Sequence, residues 1–127
     1  MFLSLLGPPQ LLIDDQPWPQ MPRKAVALVA YLAAQGGQAE RGTLASLLWE
    51  GDEESTRRNL RQELFRLKGT PWERMLEQGG QQIVLGEVET DLQRFLEALS
   101  RGRWAAAAGL WRGGLLAGFE VRATGAF

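Results

Sequence analysis

The sequence predicts an α+β domain that begins with a small antiparallel sheet, continues as three helices and a β-hairpin, and ends in a short helical extension. Three observations lead to this fold class. Short apolar segments alternate with prolines near the N-terminus, apolar residues then recur at helical spacing, and a Gly-Gly pair later separates two apolar arms. At 127 residues, 45% of them hydrophobic, the chain can bury one core.

The N-terminal sheet is predicted from two apolar segments, FLSLLG at 2–7 and LLID at 11–14. Gly7, Pro8 and Pro9 separate them, and the following DDQPWP contains two prolines that would break a helix. We therefore expect two short strands that pair in an antiparallel sheet.

Two helices are predicted next, over PRKAVALVAYLAAQGG (22–37) and ERGTLASLLWEG (40–51). Pro22 favours a helix start, and glycines end both segments. A third helix is predicted over DEESTRRNLRQELFRLKG (52–69), with acids in its first turn and Lys68 at its end, as the helix dipole favours. This helix is strongly basic: residues 57–68 hold five cations and one acid, a local charge of +4 in a chain of formal net charge -1.

A hairpin is predicted over MLEQGGQQIVL (75–85), around Gly79-Gly80. Strands, two helices, a basic helix and a hairpin follow one another in the order of a winged helix-turn-helix domain. The predicted division is one winged helix-turn-helix domain over 1–88 and a short helical extension over 89–127.

Helical geometry separates the basic helix into two faces. At about 100° per residue, Leu60, Leu64 and Leu67 form one apolar stripe. The opposite side presents long hydrogen-bond donors and acceptors: Ser55, Arg58, Asn59, Gln62 and Arg66. Arginine pairs with guanine edges and asparagine or glutamine with adenine edges, so this face suits major-groove readout.

The flanks of the same helix carry Arg57, Arg61 and Lys68, which we expect to meet phosphates. Phe65 lies near the exposed side, and two placements are open for it: packing beneath the wing, or contact with a thymine methyl group.

Catalysis and metal binding have little support in the composition. The chain has no cysteine and no histidine, so the commonest general base and the commonest metal ligands are missing. The acidic runs Asp14-Asp15 and Asp52-Glu53-Glu54 lack a partner base or metal-ligand spacing. We predict no enzyme activity, no catalytic residue, no metal and no cofactor. Without a signal-peptide pattern or a long apolar run, we expect a cytoplasmic protein with no membrane partner.

Four segments together resemble a known family: PRKAVALVAYLA, LASLLWEG, STRRNLRQELFRLK and GGQQIVL. In this order they resemble the DNA-binding domain of SARP-type bacterial transcriptional activators, a branch of the OmpR/PhoB-type winged helices, over residues 2 to about 86. The continuation ETDLQRFLEALSRGRWAAAAGLWRGGLLAGF resembles the beginning of the bacterial transcriptional activation domain that follows in that family. Asp91, Phe95 and the run from Leu110 to Phe119 carry this second similarity. The resemblance thus implies a DNA-binding domain over 1–88 and the truncated start of a helical activation or oligomerisation domain over 89–127.

The resemblance implies a sequence-specific activator that binds double-stranded DNA at promoter repeats, as a homodimer or in tandem. In that family the third helix enters the major groove, the wing reaches the minor groove or backbone, and the loop before the third helix can touch RNA polymerase. The corresponding loop here is Glu50 to Glu54. The implied base-reading residues are Arg58, Asn59, Gln62 and Arg66. Phosphate candidates are Arg23, Lys24, Ser55, Thr56, Arg57, Arg61 and Lys68. The implied wing residues are Gln78, Gly79, Gly80, Gln81 and Gln82.

Several alternatives stay open at this point. The wing tip has no Arg or Lys, which argues against strong base readout by the wing. Arg23 and Lys24 also suit solvated helix-end charges, and the acidic loop also suits complementation of the helix dipole. Apolar residues of the C-terminal segment would fold back on the winged helix or pair with a second copy. The low net charge leaves a second function: a winged-helix adaptor for protein-protein interaction, without sequence-specific DNA binding.

Overall fold

The computed structural model describes residues 1–111, 113 and 114, so the predicted apolar contacts of Leu115, Leu116 and Phe119 lie outside the described residues. In chain order, the strands and helices are β1 (Phe2–Ser4), β2 (Gln10–Ile13), β3 (Gln16–Trp18), α1 (Arg23–Ala34), β4 (Gln38–Glu40), α2 (Arg41–Leu48), α3 (Glu53–Arg66), α4 (Pro71–Met75), β5 (Leu76–Gly79), β6 (Gln82–Leu85), β7 (Glu89–Thr90), α5 (Asp91–Ser100) and α6 (Trp104–Leu110). The α+β class, with antiparallel N-terminal strands, helices and a later hairpin, is confirmed.

The described chain folds as two compact units. One unit contains residues 1–21 and the described residues from Val88 onward, and the other contains Pro22–Glu87. The N-terminal strands are thus grouped with the helical extension. The division into two domains at residues 88 and 89 stays a prediction.

The sheet of the first unit has the strand order β3-β2-β1-β7. The predicted antiparallel pairing of the first two strands is present as β1 with β2. A third strand continues the sheet through a two-residue turn, because Ile13 pairs with Gln16. Asp14 and Asp15 form this turn with φ angles of 51° and 63°, the left-handed values that a type I′ turn requires and that aspartate tolerates.

The first residues of α5 fasten it to the N-terminal sheet. β7 pairs with β1 in parallel, and the Thr90 hydroxyl accepts a hydrogen bond from the backbone N–H of Gln93 at 3.0 Å, which caps the helix. Asp91 is only 3% exposed, and its carboxylate accepts a hydrogen bond from the backbone N–H of Leu5 at 2.7 Å and another from Leu6 at 3.2 Å. α5 packs on β1 and on α6.

The second unit contains the three predicted helices around an apolar core. α1 is buried along most of its length and packs against α2, β4 and β6, while α2 packs on α3. The short α4 was not predicted, and it places Trp72 in the core with no exposed surface. None of the helices in the described part of the chain is both long enough and apolar enough to cross a membrane.

The hairpin of the second unit is formed by β5 and β6, as predicted, and β4 pairs with β6 to complete a three-stranded sheet. Gly79 pairs with Gln82, so the turn consists of Gly80 and Gln81. Gly80 has a φ of 64°, which glycine adopts without strain. β4 was missed by the sequence analysis, and its pairing brings the start of α2 next to the hairpin.

Candidate nucleic-acid interface

The basic helix α3 begins at a well-formed N-cap. The Asp52 carboxylate accepts a hydrogen bond from the backbone N–H of Ser55 at 2.7 Å. This bond, together with one from the Ser55 hydroxyl and the nearby charge of Arg58, holds the pKa of Asp52 below its usual value. Glu53 and Glu54 lie in the first turn, where carboxylates favour the helix dipole. The acids before α3 therefore have a structural use that requires no partner protein.

One face of α3 anchors it in the core. Leu60, Leu64 and Leu67 are 1%, 6% and 3% exposed, which confirms the predicted apolar stripe. The same face also buries Glu63, whose carboxylate oxygen lies 3.5 Å from a guanidinium nitrogen of Arg66. Because the anchoring residues fix the rotation of the helix, they also determine which side chains point away from the unit.

The opposite face presents most of the predicted base-reading residues. Arg58, Gln62 and Arg66 are exposed, whereas Asn59 is half-buried. Arg66 retains 73% of its side-chain exposure despite its contact with Glu63. Three long side chains that can donate hydrogen bonds therefore stand in a row along one face of α3, at spacings of four residues.

A cleft of about 210 Å³ lies between α3, the start of α2 and the tip of the hairpin, and three arginines line it. Its lining residues are Arg41, Arg57, Leu60, Arg61, Gly80 and Gln81. Arginine donates two parallel hydrogen bonds to a phosphate, so three guanidinium groups around one cleft are suited to an oxyanion. We refer to Arg41, Arg57 and Arg61 together as the arginine cleft.

Arg41 is the member of the arginine cleft that the sequence analysis missed. Its side chain donates a hydrogen bond to the amide oxygen of Gln78 at 3.0 Å, and its backbone N–H donates to the carbonyl of Gln81 at 2.8 Å. Both partners belong to the predicted wing. Arg41 therefore supplies, from the start of α2, the cation that the hairpin itself lacks.

The Arg57 side chain lies against Gly42, near the start of α2. A Cβ atom on Gly42 would lie 2.6 Å from a guanidinium nitrogen of Arg57, so the absence of a side chain there makes room for it. The Arg57 guanidinium also lies 3.1 Å from a carboxylate oxygen of Glu53, one turn earlier on α3. This exposed pair orients Arg57 without burying its charge.

Phe65 lies in the middle of the exposed face of α3. It is 71% exposed, so the first of the two open placements, packing beneath the wing, does not occur in this structure. It shares a shallow surface depression with Arg58, Arg61, Gln62 and Arg66. The ammonium group of Lys68 lies 5.0 Å from the centre of its ring, within the range of a cation-π contact.

Two predicted phosphate ligands are used inside the unit instead. The Lys24 ammonium donates a hydrogen bond to the carbonyl of Leu48 and lies 5.2 Å from the ring centre of Trp49. Burial lowers the pKa of Lys24 from its usual value, against the opposing effect of the Glu63 carboxylate. Thr56 is 3% exposed, and its hydroxyl donates to the carbonyl of Glu53 at 3.1 Å. Thr56 is therefore buried away from a phosphate, and the half-buried Lys24 already directs its ammonium to a carbonyl of the same unit.

The other predicted site residues differ in exposure. Arg23 is exposed and Ser55 is half-buried, close to the capping carboxylate of Asp52. Gln78, Gly79, Gly80 and Gln81 are exposed at the tip of the hairpin, and Gln82 is half-buried. Two amide side chains therefore lie at the tip. Gln78 already accepts a hydrogen bond from Arg41, and Gln81 lies beside the arginine cleft.

The acidic runs do not assemble a metal centre. Asp14 and Asp15 form a turn between strands, and Asp52 caps a helix. Within residues 1–111, 113 and 114, no group of three or more His, Cys, Asp or Glu residues is placed to hold a metal ion.

Comparison with known proteins gives a similarity in structure only. No protein-family model matches the chain, and no curated protein matches it in sequence. Among solved structures, the chain is similar to Mycobacterium tuberculosis EmbR in complex with a low affinity phosphopeptide, with a TM-score of 0.53 and 23% sequence identity. The similarity covers 90% of this chain and 36% of the EmbR chain. At this level of identity it shows the fold alone, and that fold is the predicted α+β winged helix-turn-helix.

Proposed function

We propose that this chain is a sequence-specific DNA-binding regulator of transcription that reads the major groove with α3. The observation that carries the proposal is the exposed row of Arg58, Gln62 and Arg66 on a helix whose opposite face is anchored in the core. The structural similarity to EmbR supports the winged helix-turn-helix fold on which this proposal rests.

In this proposal the side chains of the row read different bases. Arg58 and Arg66 each have a planar fork that matches the two acceptors of a guanine edge, and Gln62 matches the donor and acceptor of an adenine edge. The three residues lie four apart, about 6 Å along the helix axis. Neighbouring members of the row would therefore meet base pairs about two steps apart, at roughly 3.4 Å per step. Asn59, half-buried, would touch a base only from the edge of the row.

The arginine cleft and Lys68 would hold the sugar-phosphate backbone beside the groove. These contacts position the helix but carry no sequence information of their own. This set keeps the predicted cations Arg57, Arg61 and Lys68 and adds Arg41, which faces the cleft. It leaves out Lys24 and Thr56, whose side chains are engaged within the unit, and Arg23, which does not line the cleft. The hairpin contributes its backbone and Gln81 at the edge of the same cleft.

We also propose that the chain activates transcription from promoter repeats as two protomers, and that α5 and α6 begin a helical activation or oligomerisation domain. Leu96, Trp104 and Trp111 support the second point, since they are 41%, 68% and 52% exposed, as expected for helices that continue to pack on further structure. Glu50 and Glu54 remain exposed candidates for a contact with RNA polymerase.

The experiment is selection of duplexes from a random DNA library by the purified chain. We expect enrichment of one motif, and we expect the Arg58→Ala/Gln62→Ala variant to lose about 1–3 kcal/mol of discrimination at each affected base pair. Arg101→Ala is the control, because Arg101 is an exposed, ion-paired arginine on the other unit. Enrichment of no motif by the wild type, together with retained binding to a protein partner, would favour the adaptor function instead.

A further inference from the structure

Phe65 is the largest apolar side chain on the exposed face of α3, and the fold does not use it. It is 71% exposed, whereas the apolar anchors Leu60, Leu64 and Leu67 of the same helix are almost fully buried. A single exposed phenylalanine is common on protein surfaces and indicates nothing by itself. What distinguishes Phe65 is its position, because it shares a surface depression with Arg58, Gln62 and Arg66, the residues proposed to read bases.

The charges around Phe65 restrict the chemistry of any partner that would cover it. Arg58, Arg61 and Arg66 share its surface depression, and the ammonium of Lys68 lies 5.0 Å from its ring centre. Four cations around one aromatic ring favour a strongly anionic partner that presents a small apolar group at its centre. The major groove of DNA has this composition: two phosphate backbones border it, and the C5-methyl group of thymine is the apolar group on its floor.

We infer that Phe65 contacts the C5-methyl group of a thymine and makes the binding site dependent on that methyl group. The inference rests on the proposed function, since it requires α3 to lie in the major groove. Phe65 follows Gln62 by three residues, about 4.5 Å along the helix axis. One base-pair step rises roughly 3.4 Å, so the thymine lies one or two steps from the base pair that Gln62 reads.

The test removes the methyl group from the DNA rather than from the protein alone. A duplex selected by the wild-type chain is remade with deoxyuridine in place of each thymine in turn, and affinity is measured by fluorescence anisotropy. We expect one replacement to weaken wild-type binding about three- to fivefold, because the protein then buries one methyl group fewer. Phe65→Ala should bind the thymine and deoxyuridine duplexes equally. Gln62→Ala should still distinguish them.

The outcomes separate this inference from the function on which it rests. If every deoxyuridine duplex binds the wild type as well as the parent duplex does, the methyl contact is refuted while DNA readout stands. An unchanged methyl effect in Phe65→Ala also refutes it. If no duplex is selected, both proposals fail. Phe65→Leu provides a folded apolar variant for comparison, and it should keep part of the methyl dependence. Loss of self-association in Phe65→Ala, with no methyl effect in the wild type, would assign the residue to a protein interface.

Discussion

Replacement of Arg41 by alanine tests whether the arginine cleft binds phosphate. Arg41 is the informative choice because the structure, and not the sequence, identified it as a site residue. Four cations are proposed to meet phosphates: the three of the cleft and Lys68. Each neutralised phosphate changes the slope of log affinity against log salt by about 0.9. The wild-type slope should therefore be about -3.6 per protomer, and Arg41→Ala should reduce its magnitude to about 2.7.

The assay is the affinity of the chain for one labelled duplex across a salt series, measured by fluorescence anisotropy. A difference of 0.9 in slope means that the effect of Arg41→Ala shrinks about 3.5-fold between roughly 50 and 200 mM salt. The loss should be nearly the same for a selected duplex and for an unrelated one, because phosphates carry no sequence information.

Two controls separate charge from structure in this test. Gln78→Ala removes the hydrogen bond that the Arg41 side chain donates but keeps the cation, so we expect the wild-type slope. Arg101→Ala removes a cation from an exposed ion pair on the other unit, and it should also leave the slope unchanged. A folded Arg41→Ala variant with the wild-type slope would refute the cleft as a phosphate site, as would an equal effect of Arg101→Ala.

Three further predictions concern the structure that supports the site. Leu60→Ala should lower the free energy of unfolding by about 2–5 kcal/mol in denaturant titrations, because the Leu60 side chain is buried on the core-facing side of α3. Asp91→Ala should cost about 2–3 kcal/mol in the same assay, since two backbone N–H groups lose their carboxylate partner. The lowered pKa of Asp52 means that its ionised form stabilises the fold above its unfolded pKa of 3.8, and that this contribution is lost as pH falls through the folded pKa. Asp52→Asn, which keeps a capping side chain, should show a smaller loss of stability in acid than the wild type.

The main helices and the hairpin could be predicted because their signals are local. The apolar spacing in α1 and α3, and the glycines around the hairpin turn, report the burial of one face or a required φ angle within a few residues. β4 and β7 carry no such signal: QAE and ET have poor strand propensity, and they become strands only because β6 and β1 lie beside them. α4, with five residues, is too short for periodicity to show.

The candidate site divides in the same way between local and distant information. The exposure of Arg58, Gln62 and Arg66 follows from helix rotation, which the leucine stripe fixes within α3 itself. The role of Arg41 depends on the register of β4 against β6, which no local pattern reports. The contact of Lys24 could not be predicted for a related reason: the carbonyl that accepts its hydrogen bond belongs to Leu48, 24 residues away.

The uneven charge of the chain follows from the same arrangement. Net charge affects the whole protein surface, but in the proposed complex a DNA groove would meet only the face that carries the row, the arginine cleft and Lys68. The acids at the start of α3 support this basic face and do not neutralise it, because Asp52 caps the helix and Glu53 orients Arg57. A slightly acidic chain can therefore keep a local basic surface. The four proposed phosphate contacts would give weak binding for one protomer. In this proposal, specific occupancy would require either a second protomer on an adjacent repeat, about one helical turn away, or further contacts through a partner.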